Sequence, residues 1–192
     1  MRGFGLTLLL AAALLMWPVS AGAAPAEPSL DGLVALVVER LNTADAVAAA
    51  KWVAAGERGA EPAIDDPVRE AEVYDAMARL GHDRALPENW VRQVFFGQIE
   101  ANKTVQRGLM ARWRFDPAAA PAAPSGLDSV RPVIDRVNVE ILDQLARHRA
   151  ELTTPECAQQ LARSVFGVFV TDHADALHRA ALVRAAVSLC PA

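Results

Sequence analysis

The chain has 192 residues, with 19 Lys and Arg against 23 Asp and Glu, a formal net charge of −4 and two cysteines. A balance of that sign gives no general attraction to nucleic acid or to an anionic membrane surface, so any anion must be caught by a local cluster of cations. Once a leader is set aside, the length suits one domain with a single core.

The leader comes first along the chain. One early charge, Arg2, precedes an apolar run from Leu6 to Trp17 and the small residues Ala21-Gly22-Ala23-Ala24, the layout of a secretory signal peptide over 1–23. The run is shorter than the roughly 20 residues that a spanning helix needs. A mature chain of 24–192 is therefore expected to be exported, to the periplasm or beyond, with no membrane attachment after cleavage. Its two cysteines, Cys157 and Cys190, then meet an oxidising compartment and are expected to pair. Closing that loop is worth about 3 to 4 kcal/mol in the chain-entropy model. With no His and Cys cluster at ligand spacing, no metal is expected.

Apolar residues recur at three- and four-residue spacing without β-type alternation, which predicts an all-α chain of about six helices. The first runs over 29–55 and ends before Gly56-Glu57-Arg58-Gly59. The second starts at Asp66-Pro67, where aspartate caps and proline suits the first helical position, and stops near Gly81. The third covers 87–115. A linker over 116–126, with Pro117, Pro121 and Pro124, precedes a fourth helix over 127–152. Thr154-Pro155-Glu156 opens a fifth, and a split near Thr171-Asp172 separates it from the last. The cysteines lie at the start of the fifth and the end of the sixth, so a disulfide staples that hairpin.

Two helices carry polar residues on faces that ought to be apolar. Leu33, Val37, Ala44, Val47 and Ala48 form one stripe at about 100° per residue, and Arg40 and Lys51 fall on it. They are eleven residues apart, close to three turns, so their side chains point the same way and can converge on an anion between them. Either could instead snorkel to the surface. In the third helix Val91, Val94, Phe95, Val105, Leu109 and Trp113 define a face that also holds Gln98, Asn102 and Gln106. Buried amides need partners, and one another, water or a ligand would serve. Asp66, Arg69 and Glu70 stand on one side of the second helix's first turn, as cap and solvated charges or as walls of the same pocket.

In their order these residues resemble the helical chorismate mutases: Glu39-Arg40-Leu41, Lys51, Asp66-Pro67-x-Arg69-Glu70, then Asn102 and Gln106 four apart. The leader, the helical half after the proline linker and the paired cysteines resemble the secreted gamma subclass. The resemblance implies a type II-like helical fold with the active site within one chain, a catalytic half over 28–115, a C-terminal half over 127–192, and an isomerase that turns chorismate into prephenate, a step of phenylalanine and tyrosine synthesis. It implies that Arg40 pairs with a substrate carboxylate, that Lys51 meets a carboxylate and the ether oxygen, and that Gln106 donates to that oxygen. Arg69 would stand on the carboxylate side, Glu70 and the backbone at Asp66 would receive the ring hydroxyl, and Arg131 after the linker would close the pocket. Asn102 stands where Ser or Thr is more usual. No cofactor is implied, and a homodimer is expected. The rivals are an isochorismate pyruvate lyase, which shares this fold, and a non-catalytic helical binding protein.

Overall fold

The computed structural model describes residues 29–121 and 126–192, so the leader and Pro124 lie outside the described residues. The described residues form seven α-helices and no strand: α1 (Asp31–Glu57), α2 (Pro67–His82), α3 (Glu88–Phe115), α4 (Leu127–Arg147), α5 (Arg149–Leu152), α6 (Cys157–Thr171) and α7 (Ala176–Val187). A single 3₁₀ turn, Pro117–Ala119, follows α3.

Side-chain caps mark the starts of α2 and α7. Asp66 accepts the Arg69 N–H at 3.1 Å and Pro67 occupies the first helical position of α2, while Asp175 accepts the His178 N–H at 2.9 Å to cap α7. Both caps satisfy donors that the helix itself leaves unpaired. The expected fourth helix is broken: the backbone turns at His148 (φ −101°, ψ 22°), and the short α5 then carries fully buried Leu152 into the core. α6 begins at Cys157 rather than at Thr154, because Thr154 to Glu156 form a turn whose Thr154 carbonyl accepts the Cys157 N–H at 3.1 Å.

α1 lies at the centre, packed against α3 and α4, while α3 also packs against α2 and α7. One apolar core joins both sides of the proline linker: Leu33, Val34 and Val37 of α1, Val91, Val94 and Phe95 of α3, Val137, Ile141 and Leu145 of α4, and Leu182 and Ala185 of α7. The α3–α7 contact depends on small residues. A Cβ on Gly97 would sit 2.2 Å from the Ser188 side chain, and one on Gly108 would sit 2.5 Å from Leu177.

The chain end is anchored by polar bonds as well. Trp90 Nε1 donates to the Leu189 carbonyl at 2.9 Å, and Gln93 Nε2 donates to the carbonyls of Ser188 and Cys190. Cys157 and Cys190 form the expected disulfide, with their Cα atoms 6.0 Å apart. The hairpin of α6 and α7 is thereby fixed against α3, and α3 carries one wall of the site.

Candidate active site

A cavity of about 200 Å³ opens between α1, the start of α2, the middle of α3 and the first turns of α4. Its walls include Arg40, Lys51, Asp66, Arg69, Glu70, Asn102, Lys103, Gln106 and Arg131. Val47, Val73, Ile99, Leu127 and Ile134 supply its apolar surface. The periodicity argument for α1 and α3 thus places Arg40, Lys51, Asn102 and Gln106 on one space.

Arg40 is buried, at 5% exposure. Its Nε donates to Asn138 Oδ1 of α4 at 2.8 Å and its Nη1 to the Gln98 carbonyl at 3.0 Å. Both acceptors are neutral. Burial, opposed by the Tyr74 hydroxyl, draws the guanidinium down to about 10. A desolvated cation without a carboxylate partner is costly to hold.

Lys51 is half-buried, and its Nζ donates to the Ile64 carbonyl at 2.7 Å. Burial lowers its pKa, against the opposing pull of Asp66, Asp65 and Glu70, while the like charge of Lys103 adds to the lowering. Its remaining ammonium hydrogens have no acceptor among the described residues.

On α3, Gln106 Nε2 donates to Asn102 Oδ1 at 2.7 Å, and Asn102 Nδ2 reaches Thr43 Oγ1 at 3.4 Å. Gln106 Oε1 is buried with no partner among the described residues, and one of its amide hydrogens is uncommitted. An unmet polar group of this kind in a native pocket calls for a ligand or water. Gln98 plays a different part: its Nε2 donates to the Ala185 carbonyl at 3.2 Å, which ties α3 to α7 and takes no part in the cavity wall.

A family model described as chorismate mutase type II matches residues 31–107. A secreted chorismate mutase of Mycolicibacterium smegmatis is 36% identical over 158 residues, covering 82% of this chain and 84% of that protein. One from Mycobacterium tuberculosis is 35% identical over 163 residues, covering 83% and 77%. The chain belongs to the chorismate mutase type II family. Among solved structures, the chorismate mutase of Burkholderia thailandensis superposes with a TM-score of 0.75 at 32% identity, over 84% of this chain and 98% of that one.

All eight residues expected to act or bind in a chorismate mutase line the one cavity, but they differ in how they are held. Arg69 and Arg131 are half-exposed and lean on carboxylates of their own helices, Glu72 at 3.0 Å and Asp128 at 3.2 Å. Asp66 is committed as a cap, and its own N–H donates to Glu70 Oε1 at 3.2 Å.

Two residues of the site were missed by sequence reasoning. Asn138, which holds Arg40, sits on the buried face of α4 among Val137, Ile141 and Leu142, and the rule applied to α1 and α3 would have found it. Lys103 lies next to Asn102 and between Glu100 and Arg107, a spacing that reads as a solvated charged face. It is in fact 7% exposed.

Proposed function

We propose that this chain is an exported chorismate mutase that rearranges chorismate to prephenate in the cavity between α1, α2, α3 and α4. The observation that carries the reading is the buried Arg40, which no carboxylate of the described residues neutralises. It faces the same space as Lys51 and Gln106.

The reaction is a one-substrate pericyclic rearrangement, so the protein has to select a folded conformer and offset charge separation. Arg40, Arg131 and Arg69 hold the two carboxylates in the diaxial, near-attack arrangement. Lys51 and Gln106 offset the negative charge that grows on the ether oxygen as its bond to carbon breaks. The neutral amide donates at every pH. Glu70 accepts the ring hydroxyl; with the Asp66 N–H already used by Glu70, the uncommitted Oε2 is the acceptor. Together these contacts have to lower the barrier by at least about 8 kcal/mol, which several charge-assisted bonds in a partly enclosed site supply.

The leader over 1–23, cleaved near Ala23, accounts for export, in keeping with relatives named as secreted. No helix of the described residues is long and apolar enough to cross a membrane. The leader, the single-chain site and the disulfide support the gamma subclass. Exposed Phe96, Phe166, Val183 and Val187 flank an apolar groove between α3, α6 and α7, a surface that supports a homodimer. The substrate reading is tested by following chorismate loss and prephenate formation with the mature protein, and pyruvate release from isochorismate alongside. Turnover of isochorismate alone would make it a lyase, and turnover of neither would leave a binding protein.

A further inference from the structure

Lys103 reaches three carboxylates at once: Asp65 Oδ1 at 2.8 Å, Glu70 Oε1 at 2.9 Å and Glu100 Oε1 at 2.8 Å. An ammonium has three donors, so none remains for a ligand, although the residue lines the cavity. Burial works against its charge, but the hydrogen bonds it donates to Asp65, Glu100 and Glu70 outweigh it and hold the ammonium well above the ordinary lysine range. Lys103 therefore cannot act on substrate as Lys51 does. Its effect has to pass through the groups it grips.

Those groups come from three places. Asp65 lies on the segment between α1 and α2 and also pairs with Arg107 at 3.0 Å. Glu100 lies on α3 and pairs with Arg184 of α7 at 3.2 Å. Glu70 opens α2, and its Oε1 takes both the Lys103 ammonium and the Asp66 N–H. With Oε1 doubly engaged, the carboxylate has one orientation, and Oε2 is left uncommitted. The same segment is tied to α1 by the bond from Lys51 to the Ile64 carbonyl.

We infer that Lys103 is a positioning residue for substrate recognition: by gripping Glu70 Oε1 and Asp65 it fixes the Glu70 carboxylate on the cavity wall to receive the ring hydroxyl. This rests on the reading of Glu70 given above. The hydroxyl does not take part in bond making or breaking, so its contact is of similar strength in the ground and transition states. A loss of that contact raises KM and leaves kcat nearly unchanged.

The experiment is a double-mutant cycle on the mature protein, with Lys103→Met, Glu70→Gln and the pair, reading kcat and KM for chorismate and checking each fold by circular dichroism. Lys103→Met should raise KM about tenfold, the size of one lost charge-assisted hydrogen bond, with kcat within about threefold. In the Glu70→Gln background the same change should add less than about twofold, because its route to substrate is already cut. Additive losses with a clear Glu70→Gln effect would overturn the role of Lys103 and leave Glu70 standing. A Glu70→Gln variant with unaltered KM would overturn both. Should Lys103→Met not fold, Lys103→Gln, which keeps a donor and removes the charge, carries the same comparison. Failure of both to fold would overturn the inference in favour of a purely structural lysine.

Discussion

Arg40 and Lys103 are buried cations on facing helices of one cavity, and the protein treats them in opposite ways. Lys103 is surrounded by three carboxylates, whereas Arg40 is given an amide oxygen and a backbone carbonyl. The first arrangement satisfies the charge internally and rigidifies what surrounds it. The second leaves a buried charge with neutral acceptors only, at a cost in folding stability. Within one pocket, then, the absence of an internal counter-ion separates the residue proposed to meet substrate from the residue proposed to hold the wall.

The sharpest way to break this comparison is to remove the cations that lack internal counter-ions. Arg40→Ala and Lys51→Ala should each lower turnover of chorismate by at least about two orders of magnitude with the helical fold retained. Near-normal kcat/KM in either folded variant would sink the assignment. Gln106→Glu should follow in size, with about a tenfold or greater loss at pH 7 to 8. The ionised carboxylate would repel both the developing oxyanion and Asn102 Oδ1, which Gln106 now serves as donor. Once protonated it donates again, so its kcat/KM should recover toward acid while the wild type shows no such gain. Profiles of equal height and shape would return Gln106 to a structural amide.

The alkaline side tests Lys51 separately. Burial lowers its pKa, so its charge is present below that value and is lost as pH rises, earlier than for a free lysine near 10.4. The kcat/KM of the wild type should therefore fall on an alkaline limb, and Lys51→Arg should move that limb upward at a lower plateau. An unmoved limb would remove Lys51 from the ether-oxygen role. Arg131, half-exposed and already paired with Asp128, should matter less. Arg131→Ala is expected to raise KM about five- to tenfold, and an unchanged KM would remove it from the pocket.

The smallest effect on turnover is expected from the region farthest from this chemistry. Replacing Cys157 and Cys190 by serine should cost about 3 kcal/mol of stability in chemical denaturation and leave kcat/KM within about twofold. A large kinetic loss would show that α7 acts on the site through the link of Arg184 to Glu100.

The elements with chemical punctuation were legible in the sequence. Asp66-Pro67 and the proline linker mark the start of α2 and the end of α3, and those bounds agree within about a residue. The break at His148 was not legible, because no proline or glycine stands there and the turn is imposed by packing of Leu152 into the core. Arg40 and Lys51 were legible for the same kind of reason, being charges on an apolar stripe. Lys103 was hidden because its partners Asp65 and Glu70 are brought to it by the fold from the far side of α2. Periodicity along α3 carries no record of them.

The residues that line the cavity, from Arg40 on α1 to Arg131 on α4, come from both sides of the 116–126 linker. For an exported protein, that has a practical consequence at high dilution. An active site completed by a second copy would lose its closing arginine whenever the subunits parted, and specific activity would fall with protein concentration. Arg131, proposed above as that arginine, is joined to the rest of the cavity along the same chain, so its local concentration is fixed by covalent connection. Activity per molecule should stay constant into the nanomolar range whether or not two copies associate through the α3, α6 and α7 surface.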